Sequence, residues 1–386
     1  MPESKRQSSA RPKRSSALKW GLLVIGLTLL TACASGPQPP RPAELGPVTA
    51  LLGVQAAWSA QVGASSTVLT PLALADRVFV AGGAGTVAAI DAASGQELWR
   101  LNLETPLAAG VGSDGRTVAV VTLENELVAI TDGRESWRAR LPARVFTAPL
   151  VAGERVFVQT SDRTVLAFDA KNGARLWREE RPADPLVLSQ PGVLLAVGDT
   201  LVAGFSGRLL GIDPRNGALR WEVALATPRG INEIERLVDL VGPVSRVGNS
   251  VCVRAFMRSV GCVDAARGTL AWSRPARGSV GLHGDERLLF TADANDRVLA
   301  WQRDSGEPVW ESARLQHRNL SGPLVLGRVV VFGDNAGWVH LLSREDGSEM
   351  NRLSTDGSPI LAAPVLAGNV LVVQTRNGGI YAWRPQ

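Results

Sequence analysis

The side chains able to do chemistry in this sequence are few and poorly spaced for it. Three histidines, His283, His317 and His340, stand apart, none with a second ligand at a metal-binding interval. Asp293-Ala294-Asn295-Asp296 offers the oxygens of a calcium loop but lacks its glycine and its terminal glutamate. Gly82-Gly83-Ala84-Gly85 precedes a strand-like run, not a helix, so it reads as a hairpin turn and not as a phosphate cradle. No Gly-x-Ser-x-Gly is present. These residues predict a non-catalytic protein with no cofactor and no metal. Cys252 and Cys262 lie on consecutive strand-like runs either side of a turn near Met257. Either they face each other as a disulfide, or they are two buried thiols acting as small apolar residues.

The third cysteine suggests a different chemistry. Lys5, Arg6, Arg11, Lys13, Arg14 and Lys19 precede a short apolar run from Trp20 to Ala32, which is brief for a membrane span. It ends in Leu30-Thr31-Ala32-Cys33, which resembles a bacterial lipobox. That resemblance implies removal of residues 1–32 and lipidation of Cys33. Several acyl chains on one residue anchor stably, at about 0.8 kcal/mol per buried CH₂. Ala34, not Asp, follows the cysteine, so sorting rules imply the outer membrane, with the protein facing the periplasm. Pro37, Pro39, Pro40, Pro42 and Pro47 make 33–47 an extended tether. The net charge of +5 resides entirely in the leader, and residues 33–386 are neutral. Nucleic-acid binding therefore loses its main support.

What must position these residues is a repeat. Ala89-Ile90-Asp91 runs through Gly95 to Trp99, and the same phrase returns at 167–177, 211–221, 262–272 and 300–310. A shortened copy ends at Trp137, and a decayed one, 341–351, has Asn351 in place of Trp. The landmarks Trp58, Trp99, Trp137, Trp177, Trp221, Trp272, Trp310 and Asn351 recur about every 40 residues. Between them, short alternating apolar runs are punctuated by Gly-containing turns, four strands to each period. This predicts an all-β chain, an eight-bladed β-propeller of four-stranded antiparallel blades over 48–386. The sequence ends just after an eighth phrase begins, while Trp58 has no phrase before it. The strand around Trp58 should close the last blade and leave no free edge.

The interval from Trp221 to Trp272 is 51 residues, lengthened by an insertion at 228–243. Ile231, Ile234, Leu237 and Val238 have helical spacing there. The insertion either belongs to a binding face or covers its own blade. The segment Asp184–Pro191 in the preceding blade is also irregular.

The phrase is similar to the repeat of the pyrroloquinoline-quinone dehydrogenases, whose adjacent Cys-Cys pair is missing here. The lipobox, the repeats and Asn232–Asp239 together resemble the BamB family, the lipoprotein subunits of the outer-membrane β-barrel assembly machinery. That resemblance implies a scaffold that binds the periplasmic domains of the barrel subunit BamA, with other Bam subunits, and aids insertion of nascent barrels. It also implies contact residues in two loops. The family's Leu-x-Leu-Arg matches Leu186-Val187-Leu188-Ser189, carrying over Leu186 and Leu188 but not the Arg. Its Arg-Leu-x-Asp-x-Asp matches Arg236–Val241, carrying over Arg236, Leu237 and Asp239 but not the second Asp. An exposed Leu pair with a charged rim is the expected surface. Two other readings compete. A quinoprotein-like dehydrogenase would bind quinone and calcium, and a periplasmic ligand- or polysaccharide-binding propeller would need a polar, aromatic-lined channel.

Overall fold

Thirty-two strands follow one another among the described residues of the computed structural model, 40–181 and 186–386. Cys33 and the leader lie outside the described residues, as do 182–185. β1 (Val54–Gln61) stands first. The next strands fall in order into seven antiparallel four-stranded sheets, over 72–102, 107–140, 150–180, 194–224, 240–275, 283–312 and 324–354. These are blades 1 to 7. Blade 8 draws on both ends of the sequence. β1 pairs outside β32 (Gly379–Pro385), Val54 opposite Pro385 and Gln61 opposite Gly379, followed by β31 (Val370–Gln374) and β30 (Val365–Ala367). The ring is thus closed by the strand that carries Trp58.

Each word of the repeated phrase has a physical task. The opening small residue lies directly across the ladder from the Trp of its own blade, as in Ala89↔Trp99, Ala167↔Trp177 and Gly211↔Trp221. A Cβ on Gly211 would stand 2.1 Å from the Trp221 ring, so smallness there makes room for the indole. The Asp caps the following turn. Asp91 Oδ1 accepts from the Ser94 amide at 2.8 Å, and Asp169 Oδ1 from Lys171 and Asn172 at 2.9 and 3.1 Å. The Gly takes φ between +66° and +79° in seven blades. It is also the platform for the preceding blade's indole. A Cβ on Gly95, Gly173, Gly217 or Gly306 would fall 2.4–2.8 Å from the ring of Trp58, Trp137, Trp177 or Trp272. Docked there, the indole N–H reaches a carbonyl of the same turn. Trp58 donates to Ala92 at 2.8 Å, Trp137 to Ala170 and Trp177 to Pro214 at 2.9 Å.

Asn351 marks the one junction where this cannot happen. Blade 8 takes its outer strand from β1, so no Gly turn joins its third and fourth strands and there is no platform for an indole. Asn351 Nδ2 instead donates to Leu52 O at 2.8 Å. The core is divided the same way. Each of eight apolar clusters sits at one blade-to-blade junction, as with Phe79 and Val120 between blades 1 and 2, or Phe290 and Phe332 between blades 6 and 7.

Cys252 on β19 (Ser250–Ala255) opposes Cys262 on β20 (Ser259–Asp264), just as Phe157 opposes Ala167 in blade 3. A disulfide joins them, and both are buried. Residues 43–53 strap the outside of blade 7. The Ala43 amide donates to Gln316 O at 2.8 Å, and Arg318 donates to Ala43 O at 2.9 Å. Arg352 donates to Gly46 O at 3.3 Å, and the Leu51 amide to Met350 O at 2.9 Å. Leu45 and Leu52 pack on the neighbouring clusters. Part of the stretch expected as tether is therefore docked on the ring.

Candidate partner-docking site

In a blade of four antiparallel strands, the inter-blade connections and the turns between second and third strands emerge on one face. Three such segments meet on this propeller. Residues 186–193 are the later part of the connection from β13 (Arg175–Glu180) to β14 (Leu194–Val197), residues 225–239 link blade 4 to blade 5, and residues 160–163 form the middle turn of blade 3. The strap enters at Gln316, in another inter-blade connection, and so on the same face.

Asp239 is the knot between them. Its Oδ2 accepts from the Leu188 amide at 3.0 Å and its Oδ1 from the Ser206 amide at 3.3 Å. The Arg163 guanidinium pairs with the same Oδ1 and donates through Nη2 to Leu186 O at 3.1 Å. Arg163 and Asp239 are only 7% and 8% exposed, so this pair is not rim decoration. The sequence led to an exposed acidic residue beside the leucines. The structure instead buries it, because its two oxygens serve the backbone of the 186–193 loop and of the middle turn of blade 4. Leu186, Leu188 and Leu237 are half-buried, and Arg236 is exposed. Val241, where the family motif has its second Asp, is buried at the start of β18 (Leu240–Val247). The structure thus brings Leu186, Leu188, Leu237 and Asp239 together, with Arg236 on the adjoining helix. The residue that sequence reasoning missed is Arg163, which belongs to no motif.

The insertion is helical only over α1 (Glu233–Arg236). Asn232 caps it, its Oδ1 accepting from the Glu235 amide at 2.9 Å. The Glu235 carboxylate takes the Ile231 amide at 2.9 Å and Asn232 Nδ2 at 3.0 Å. Arg258 fastens the loop to blade 5 by donating to Arg229 O at 2.8 Å and to Glu235 O. Held so, the loop does not fold its apolar side onto the blade. Ile231 is 99% and Ile234 78% exposed, while only Val238 is buried.

The cavity framed by Arg163, Leu186, Arg236, Leu237 and Asp239 is about 10 Å³, room for no more than one water. The site offers a surface and not a pocket. The central channel holds about 360 Å³, lined by residues such as Pro71, Val111, Leu150, Pro191, Val244 and Ala362. Among the described residues, no charged and no aromatic side chain lines it. Its wall therefore supplies no carboxylate for calcium and no aromatic platform for a sugar, which does not fit either competing reading.

A family model described as outer membrane protein assembly factor BamB matches residues 83–312. The chain belongs to the BamB family. Relatives named outer membrane protein assembly factor BamB include one from Burkholderia pseudomallei, 38% identical over 363 residues, which are 93% of this chain and 95% of the relative. Another, from Bordetella pertussis, is 35% identical over 379 residues, 96% and 98% of the two chains. Among solved structures, BamB from Moraxella catarrhalis superposes with a TM-score of 0.78 at 24% identity, over 86% of this chain and 99% of that one. Quinohemoprotein alcohol dehydrogenase from Comamonas testosteroni superposes at 0.67 with 14% identity, over 87% and 77%. Both structural likenesses speak for the propeller fold alone. BamB relatives carry the name of an assembly factor and not of an enzyme.

Proposed function

We propose that this chain is a scaffold subunit of the outer-membrane β-barrel assembly complex and docks the periplasmic domains of BamA. In this reading residues 1–32 are an export leader, Cys33 carries the lipid that holds the protein to the inner leaflet of the outer membrane, and 33–47 lead to the propeller of 48–386. The observation that carries it is the joining of two inter-blade loops into one surface by the Asp239 carboxylate. Leu186, Leu188 and Leu237 with the bare Ile231 and Ile234 supply apolar contact area, and Arg236 supplies a charged edge. The strap of residues 43–53 enters on this same face. Nascent barrels would then be handled by the complex, with this subunit holding the periplasmic domains in place.

The test is a mild-detergent pull-down of the anchored protein from outer membranes, with partners identified by mass. Recovery of a large β-barrel protein with periplasmic repeat domains is expected. Leu186→Ala with Leu188→Ala should reduce that recovery tenfold or more while the circular dichroism spectrum is unchanged. Recovery of this chain alone, from membranes whose other complexes survive, would defeat the reading.

A further inference from the structure

Arg163 stands in a backbone slot that does not suit it. Its φ is +65°, in the left-handed region. Its amide donates to the carbonyl of Thr160, three residues back. The same turn, with the same amide-to-carbonyl bond and a left-handed residue donating it, recurs around the ring; blade 5 makes the bond from Arg258, but there the left-handed residue is Met257. Blades 1, 7 and 8 place Gly85, Gly337 and Gly378 in this slot, and blades 2 and 6 place Asn125 and Asp296. These are the residue types that tolerate the conformation. A long cation there forgoes local preference, and its side chain goes into the buried clamp on Asp239 and Leu186 O. An unfavoured conformation joined to a specific buried contact points to a role beyond the turn.

We propose that Arg163 is the positioning residue of the docking surface, coupling the 186–193 loop to the 225–239 loop so that a partner meets them as one rigid unit. This rests on the docking reading above. One guanidinium group reaches the main chain of the first loop through Leu186 O and the carboxylate of the second through Asp239. That carboxylate in turn holds the Leu188 amide and, through Ser206, blade 4. Removing the cation unties Leu186 directly and leaves Asp239 buried without its counter-charge, so both loops loosen together. Docking then requires the loops to be ordered at the moment of contact, which weakens binding without removing a single contact residue.

The test uses the residues that the sister turns already employ. Arg163→Asn suits the backbone slot, and Arg163→Asn with Asp239→Asn also removes the orphaned charge while keeping an acceptor for the Leu188 amide. Amide exchange in 186–193 and 225–239, thermal melting, and affinity for purified BamA periplasmic domains are measured on the full propeller. Tenfold or faster exchange in both loops, tenfold or weaker affinity, and a melting transition as cooperative as the wild type are expected for the double variant. Arg163→Lys, which can keep the pair with Asp239 but not the second donor to Leu186 O, should restore protection of the second loop more than of the first. Wild-type exchange in both loops overturns the proposal, and so does lost affinity with exchange unchanged. If the wild-type chain itself binds no periplasmic domain, the docking reading fails, while exchange still decides whether Arg163 couples the loops.

Discussion

Gly217 shows how much one hydrogen atom can decide. At φ +79° it occupies the left-handed region, and a methyl group there would stand 2.8 Å from Trp177 Cε3. Gly217→Ala should cost about 2–4 kcal/mol by strain and overpacking. Trp177→Phe, which strips the N–H from Pro214 O, should cost about 1–3 kcal/mol. Urea denaturation followed by circular dichroism would rank the two. His283 carries a pH signature. Its Nδ1 accepts from the Val325 amide at 3.1 Å, and burial together with the Arg303 charge lowers its pKa to about 4. The unfolded histidine takes its proton near 6.5, before the folded one does. Stability from this group is therefore complete above about pH 6.5 and lost as pH falls toward 4, at most about 3 kcal/mol. His283→Asn, whose Oδ1 can stand in for Nδ1, should flatten the fall in Tm across that window. The residues of the phrase were readable because each recurs in register. The burial of Asp239 was not, because an Asp in an inserted loop reads as a solvated charge, and its guanidinium partner lies 76 residues earlier in the chain. The aligned turns gave only a partial signal for Arg163, since five of them hold Gly, Asn or Asp in its slot but blade 5 holds Arg258.

Among elements, the outer strands were legible and the insertion only half so. The outer strand of blade 3 runs on to Glu180, because Thr164 still has a ladder partner there. Of the helically spaced Ile231, Ile234, Leu237 and Val238, only Ile234 lies in the short helix α1. The direction of the insertion depends on the Glu235 and Arg258 contacts, which no period reveals. The decayed phrase at Asn351 has a cause in the next element, not in its own. Asn351→Trp should therefore destabilise, not repair, by about 1–3 kcal/mol, since the indole would meet no Gly turn and the Leu52 carbonyl would lose its donor. Thermal melts against Asn351→Ala would separate loss of that bond from overpacking. In blade 5, thiol titration of the unfolded, unreduced propeller should find Cys252 and Cys262 blocked, and reduction should release both.

At the scale of the whole molecule, stability is a ring of neighbour contacts, each junction holding one cluster and one Trp or its substitute. The seam is the junction where the chain's two ends supply the same sheet. Removing residues up to Gln61 would bare the edge of β32 and leave the blade 8 cluster half covered. Light scattering should then show association where the intact propeller is monodisperse. The strap gives the ring a further property, which concerns force. Gly46 and Leu51 meet Arg352 and Met350 as the strap descends blade 7, and the chain then doubles back to climb as β1. A pull on the backbone ahead of Ala43 loads the Gln316 and Arg318 contacts first, then Arg352, then Met350. The closing strand lies behind that bend and out of line with the pull, so the strap takes up tension as a cable clamp spares the joint beyond it.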